Sequence, residues 1–526
     1  MGQTDSGGDG VALPEFRNEP LIDFTQEPNR QRMREALAGV EARLGLELPI
    51  VVGGERIRVS EKFESRNPSE KTEVVALAQR ATPEHVDRAV EAAWRAFPAW
   101  RRVPPEEKAA LFLRAAELLR RRRFEAAAWM VYEVGKNWVE ADADVAEAID
   151  HLEYDAREIL RYAEGKPTTP HPQEVSYYTY EPLGVVAVIP PWNFPLAIPM
   201  GMALGALAAG NTVVLKPSSD APATVYTFLE VMEEAGLPPG VLNIVTGSGS
   251  TVGDALVTHP RVRMVAFTGS REVGCAIYEQ AAKVRPGQAW LKRVIAEMGG
   301  KNAVVVDEAA DLEEAVAAAV VSGYGYQGQK CSAGSRLVVT HSVYDRVLEA
   351  FVERVRALEV GPAKDNYPVG PVINERAYQT ILDYIGIGKR EGRLMCGGEP
   401  AGGEGYYIQP TVFADVDPHA RIAQEEIFGP VVAVIRARDF DHALEIANST
   451  QYGLTGAVFT RDPDRIARAR AEFHCGNLYI NRKCTGALVG VHPFGGFNMS
   501  GTDAKVGGPD YLLHFLQPKV TSIKFR

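Results

Sequence analysis

Two side chains in this chain are of the types that covalent catalysis needs. Cys331 lies in Tyr324-Gly325-Tyr326-Gln327-Gly328-Gln329-Lys330-Cys331-Ser332, among small and hydrogen-bonding residues. Upstream, Glu297 lies in Ile295-Ala296-Glu297-Met298-Gly299-Gly300-Lys301-Asn302. A thiol can form a covalent adduct, and a carboxylate can activate the water that breaks it. Such a thiol needs a depressed pKa or a neighbouring base, and Glu297 is the candidate base. Each residue alone has a plainer alternative: a buried structural cysteine, and a strand end before Gly299-Gly300. Asn193 is a third candidate, in Pro190-Pro191-Trp192-Asn193-Phe194-Pro195. The proline-dense backbone there is rigid, so the Asn193 amide either faces a developing oxyanion or completes an ordinary turn. One oxyanion donor is worth about 2.7–4 kcal/mol of transition-state stabilisation.

Positioning such groups requires a scaffold, and the apolar patterning supplies one. Val185–Ile189, Thr212–Leu215, Leu242–Val245 and Met264–Phe267 are continuous apolar runs of the kind buried on both faces of a parallel sheet. Helical segments near 196–209, 222–235 and 250–258 separate them. The alternation predicts an α/β fold with a doubly wound sheet, whose ligands bind beyond the carboxyl ends of the strands. Residues at those ends are small, polar or cationic, as a nucleotide site requires. Thr268-Gly269-Ser270 either opens a helix that receives a pyrophosphate or forms a plain tight turn. Lys216 either binds ribose hydroxyls or ends its strand in solvent. A second series, Ala303–Val306, Arg336–Val339, Val431–Ile435 and Gly456–Phe459, predicts a second α/β domain.

Elsewhere the signals are local. A helix is expected within 20–45, another opening at Thr82-Pro83, and a further one over 136–162 carrying Glu147 and Asp150. The Arg120–Arg123 run reads as a solvated helix face. Tyr177–Tyr180 predicts a hairpin, and Val520–Phe525 an edge strand.

Composition bounds the function. A chain of 526 residues exceeds one domain of about 100–200. The net charge of −11 argues against general nucleic-acid binding. Five scattered cysteines form no CxxC pair, so no metal site is expected, and they suit reduced thiols in a cytoplasm. No apolar stretch reaches the ~20 residues of a membrane span. Residues 1–18 read as a disordered tail, without the features of a signal peptide.

Seven motifs together carry a resemblance: Pro191–Pro195, Lys216–Ser218, Phe267–Ser270, Glu297–Lys301, Gly328–Cys331, Glu426–Pro430 and Pro493–Gly496. In this order, from about residue 45 to the end, the chain resembles the aldehyde dehydrogenase superfamily. Phe16–Pro20, Tyr132–Trp138, Phe473–Arg482 and Thr485–Gly490 are similar to the branch that oxidises L-glutamate γ-semialdehyde, formed from 1-pyrroline-5-carboxylate, in proline catabolism. The alternative is an enzyme for another semialdehyde, such as succinate semialdehyde. A non-catalytic protein on the same fold would need none of Cys331, Glu297 and Asn193.

The resemblance implies a Rossmann-type nucleotide-binding domain at 19–162 and 184–296, a catalytic domain at 297–499, and a small β oligomerisation arm from 163–183 and 500–526. It implies that Cys331 attacks the aldehyde while Asn193 and the Cys331 N–H hold the oxyanion. Hydride passes to NAD, and Glu297 activates water to hydrolyse the thioester. Cofactor contacts are expected from Ile189, Pro191, Trp192, Lys216, Ser218, Ser219, Gly249, Thr268, Gly269 and Ser270, with Glu426 and Phe428 at the nicotinamide ribose. The substrate α-carboxylate would lie on the N–H groups of Gly486-Ala487 with the Ser332 hydroxyl. Phe194 and Phe494 would sandwich the aliphatic part, and Glu147 would lie near the α-ammonium. Many NAD-preferring relatives carry Glu where this chain has Ser219, so NADP is expected to be accepted as well as NAD. A homo-oligomer, dimeric or a trimer of dimers, and an upstream proline dehydrogenase complete the implied setting, with this chain as the stand-alone form.

Overall fold

The computed structural model describes residues 13–525. Its main body is two seven-stranded sheets, each covered by helices. The first runs in the order Arg293–Glu297, Met264–Thr268, Val185–Ile189, Thr212–Leu215, Leu242–Ile244, Ile50–Val52, Glu55–Ile57. The first five strands are parallel. The last two form an antiparallel hairpin added at the edge, so the sheet is mixed rather than wholly parallel. The apolar runs are fully buried because helices cover both faces.

The second sheet runs in the order Arg393–Cys396, Thr411–Ala414, Val431–Ala437, Arg336–Thr340, Ala303–Val306, Thr455–Phe459, Asn477–Ile480. All neighbours are parallel except the outermost pair, Arg393–Cys396 with Thr411–Ala414. Its core is divided between the two faces of the sheet, with Phe413 on one and Phe351 on the other.

Helices form where the sequence supplies caps. Thr82 opens Pro83–Trp100, its N–H donating to His85 Nδ1 at 3.2 Å. Asn137 opens Trp138–Ala163, its side chain accepting from Glu140 N at 3.0 Å.

Three expectations need correction. The Tyr177–Tyr180 stretch does not pair chiefly with its own neighbours. Glu174–Pro182 joins Leu516–Lys524 in an antiparallel ribbon through nine residue pairs. The C-terminal strand is therefore half of that ribbon rather than the edge of a larger sheet, and residues 511–515 pack into the first core instead. The Arg120–Arg123 run is not simply solvated. Arg123 is buried against Asp142, with Nε to Oδ1 at 2.6 Å, and Arg120 reaches Glu19 and Glu153. In the expected tail, residues 1–12 lie outside those described, whereas Phe16 and Asn18 make specific contacts. Among the described residues no helix is long and apolar enough to cross a membrane, and no cluster of three His, Cys, Asp or Glu side chains could hold a metal ion.

Candidate active site

The parallel part of the first sheet begins at Val185–Ile189, adds strands on one side, then returns to add Met264–Thr268 on the other. The crevice between these two strands is the topological switch point, where loops diverge and leave room for a ligand. Ile189, Pro191 and Trp192 lie on one wall, and Thr268, Gly269 and Ser270 on the other. Ser270 caps the helix Arg271–Ala282, accepting from Val273 N at 3.4 Å, so the positive end of that helix meets the crevice. Lys216 follows the next strand. It is buried, and its Nζ donates to the Pro217 carbonyl at 2.9 Å, leaving two donors for a ligand. Burial pushes its ammonium down to about 8. Ser218 Oγ accepts from Asp220 N at 3.3 Å, and Ser219 Oγ donates to the Gly247 carbonyl at 3.1 Å. Around Gly249 a Cβ would meet nothing within 4 Å, so the chain is open there.

Glu426 comes from the second sheet's side. Its Oε1 accepts from Gly300 N at 2.9 Å, and any side chain at Gly299 would collide with it. Burial pushes its carboxyl up to about 7, against the pull of Lys301 behind it. Phe428 adopts a left-handed φ of 57° and meets Trp192 edge-on at 5.6 Å, closing the crevice between the two sheets.

Cys331 follows a turn that an ordinary chain resists. Tyr326, Gln327 and Gly328 have φ of 53°, 56° and 69°, three successive left-handed residues. The first two cost energy in that region, roughly 1–3 kcal/mol each. Side-chain bonds offset this. Tyr326 Oη donates to the Val134 carbonyl at 2.9 Å, and Gln327 Nε2 to the carbonyls of Pro371 at 2.9 Å and Gly135 at 3.3 Å. Gly328 must be glycine, because a Cβ there would collide with the Gly429 carbonyl. Asn193 is tied to the same segment: its Nδ2 donates to the Gln329 carbonyl at 3.0 Å, and one amide proton remains.

Glu297 ends its strand beside this loop. Its Oε2 accepts from Gly496 N at 3.1 Å, while its buried Oε1 has no partner among the described residues. Burial outweighs that one bond, so its carboxyl sits well above the usual range. The Cys331 thiol is pushed up to about 12, first by burial, then by the Glu426 and Glu297 carboxyls. The thiol is thus not acidified by its surroundings.

On the substrate side, Phe194 lies under the Lys136 ammonium, whose Nζ is 3.7 Å from the ring centroid. Glu147 is 35% exposed and lies 3.9 Å from His151 Nε2. Partial withdrawal from solvent, then the Asp144 and Asp150 carboxylates, raise its carboxyl above the usual range, against the pull of Lys136. Ser332 is buried, and its carbonyl accepts from Thr455 Oγ1 at 3.2 Å and Cys484 Sγ at 3.3 Å. Cys484 begins the loop that carries Gly486 and Ala487, so the loop and the Cys331-Ser332 segment are joined through that contact. Gly486 has φ of 72° and its carbonyl receives Arg482. Phe494 is half-buried, two residues before the Gly496 N–H on Glu297, and exchanges backbone hydrogen bonds with Val506.

The sequence profile of the aldehyde dehydrogenase family matches residues 57–521. The chain belongs to that family. The 1-pyrroline-5-carboxylate dehydrogenase of Geobacillus kaustophilus (strain HTA426) is 57% identical over 511 residues, 97% of this chain and 99% of the relative. A crystal structure of 1-pyrroline-5-carboxylate dehydrogenase from Thermus with bound NAD superposes with a TM-score of 0.97 at 52% identity, covering 98% of this chain and 100% of that one. Proline utilization A (PutA) from Bdellovibrio bacteriovorus gives a TM-score of 0.95 at 45% identity, covering 98% of this chain and 54% of that one.

This aldehyde dehydrogenase also uses residues that sequence reading missed. Lys136 and Asp144 form a fully buried ion pair at 2.7 Å, and Asp144 Oδ1 accepts from Ala197 N at 2.7 Å. Lys330, next to Cys331, pairs with Glu140 at 2.7 Å. The Lys483 side chain lies beside Gly486, and a Cβ there would be 3.6 Å from its Nζ. One signal was available: Glu140, Asp144, Glu147 and His151 fall on one face of a single helix at helical spacing. Charged residues on a helix packed among other helices mark a site rather than a solvated surface.

Proposed function

We propose that this aldehyde dehydrogenase oxidises L-glutamate γ-semialdehyde, the open form of 1-pyrroline-5-carboxylate, to L-glutamate. The observation that carries the reading is the pair of anchors beside Cys331: the helix face with Glu147 for an α-ammonium, and the Gly486-Ala487 loop for an α-carboxylate. The near-full-length likeness to 1-pyrroline-5-carboxylate dehydrogenases supports it.

The crevice fits a dinucleotide. A helix N-terminus, an open backbone at Gly249, a buried lysine with two donors to give and a carboxylate at Glu426 suit its phosphates and riboses. NAD, when bound, supplies the hydride acceptor. The chain's own residues do the rest. Cys331 Sγ, once deprotonated, adds to the carbonyl carbon, and the resulting oxyanion accepts hydrogen bonds from the remaining Asn193 N–H and the Cys331 N–H. A thioester on Cys331 follows. Glu297, whose raised pKa makes its carboxylate a stronger base, removes a proton from the attacking water. The product is a free acid.

Around this chemistry, the exposed Val175, Tyr177, Val520 and Ile523 of the ribbon support a homo-oligomer, dimeric or a trimer of dimers. A monomer mass by light scattering would exclude it. The likeness to proline utilization A supports supply of the substrate by a proline dehydrogenase; a strain lacking proline dehydrogenase that still forms pyrroline-5-carboxylate from proline would argue otherwise. Five free cysteines suit a cytoplasm, which fractionation tests.

The deciding assay is NADH formation from pyrroline-5-carboxylate beside succinate semialdehyde and propanal. A preference of about 10³-fold in kcat/KM corresponds to about 4 kcal/mol of differential transition-state binding. Equal rates would remove the amino-acid anchors from the reading while leaving Cys331 and Glu297 in place.

A further inference from the structure

The Phe16–Pro20 motif has no part in the chemistry above, yet the structure gives it unusually specific contacts. The Asn18 amide donates one proton to Asp150 Oδ2 at 2.8 Å and one to the Val489 carbonyl at 2.9 Å. Glu19 N donates to Asp150 Oδ1 at 2.6 Å, so both oxygens of one carboxylate grip successive residues. Farther along, Arg123 Nη2 reaches the Pro20 carbonyl at 2.9 Å, and Ile22 N reaches Asp142 Oδ2 at 2.8 Å. At the other end, the Phe16 ring meets Tyr154 edge-on at 5.3 Å. These two rings form the bed on which Gly490 lies. A Cβ at Gly490 would stand 3.0 Å from Tyr154 and 3.1 Å from Phe16, and its φ of 76° already requires glycine.

The two things so joined are the two anchors. Asp142, Asp150 and Tyr154 belong to the helix Trp138–Ala163, which also carries Glu147, one turn before Asp150. Val489 and Gly490 end the loop that carries Gly486 and Ala487. We propose that the N-terminal segment Phe16–Ile22 is a strap that fixes the spacing between the ammonium and carboxylate anchors, making Asn18 a positioning residue for amino-acid specificity. The inference rests on the reading that these anchors bind glutamate semialdehyde. The strap touches neither Cys331 nor the cofactor crevice, so it acts on recognition of the amino-acid head and leaves chemistry at the aldehyde alone.

The test compares the full-length enzyme with Asn18→Ala and Phe16→Ala, using pyrroline-5-carboxylate and propanal as substrates. Each variant is expected to raise KM for the amino-acid aldehyde about tenfold, with kcat within about twofold. The kcat/KM for propanal should not change. Amide hydrogen exchange across 486–490 should quicken in both variants. The strap is refuted if the folded variants lose activity equally on both aldehydes, or keep wild-type KM with unchanged exchange. Should Asn18→Ala fail to fold, Phe16→Ala carries the same test from the other end of the strap. A wild-type enzyme that shows no preference for the amino-acid aldehyde would instead refute the proposed substrate.

Discussion

Asn193→Ala isolates the oxyanion contribution. The side-chain amide has two protons, and one is engaged with the Gln329 carbonyl at 3.0 Å. One therefore remains for the substrate oxygen, so the substitution removes a single transition-state donor. That loss corresponds to about 2.7–4 kcal/mol, a hundred- to thousandfold fall in kcat. The Gln329 tether also disappears, at about 1 kcal/mol, but it exists with and without substrate and should register as lower stability rather than slower chemistry. Because the oxygen is common to all aldehydes, the fall should be the same for pyrroline-5-carboxylate and propanal. Stopped-flow measurement of the first turnover separates acylation from hydrolysis, and the deficit should lie in acylation. A fall of less than tenfold, or one confined to a single aldehyde, would refute the assignment.

Glu297→Gln should still release one equivalent of NADH in a burst, then turn over about 10²–10⁴-fold more slowly, since only water activation is lost; steady-state rates matching wild type would remove it as the base. Ser219→Glu should cut kcat/KM for NADP at least about tenfold and leave NAD little changed, because a carboxylate there repels a 2′-phosphate; an unaltered cofactor ratio would contradict the role of Ser219. His151 is buried and pushed down from 6.5 to about 4. Its depressed pKa means that stability is fully present above pH 6.5 and is lost as the pH falls towards 4, by up to about 3 kcal/mol. His151→Asn should flatten that part of the pH dependence of the urea midpoint, and identical slopes would show that another group is responsible.

What was legible in the sequence was what local pattern determines. The buried apolar runs from Val185 to Phe267 could only be interior strands, and the chemically distinctive residues after them fell at the switch point. Cys331, Glu297 and Asn193 stood out as candidates because each lies in a short, unusual neighbourhood, and only the resemblance of the surrounding motifs assigned them roles. What escaped was set by distance along the chain. Asn18 and Val489 are 471 residues apart, and nothing near either announces the other. The ribbon is different: Tyr177–Tyr180 has the aromatic alternation of a hairpin, and its partner strand lies at the opposite end of the chain, in the segment that the resemblance put in the same arm. Arg123 looked solvated because three further arginines or a helix end surround it in sequence, whereas Asp142 and Glu19 reach it only after folding. Buried ion pairs such as Lys136 with Asp144 are hidden for the same reason: each member alone has the look of surface charge.

The left-handed turn before Cys331 bears on how the enzyme comes into being. Its shape is unfavourable locally and is sustained by the carbonyls of Val134, Gly135 and Pro371, which come from segments on both sides of Cys331 in the chain. A half-made molecule would therefore own the cysteine without owning its poise. During synthesis, the reactive geometry cannot exist until Pro371 has emerged and docked, so competence arrives with the completed architecture rather than with the residue itself.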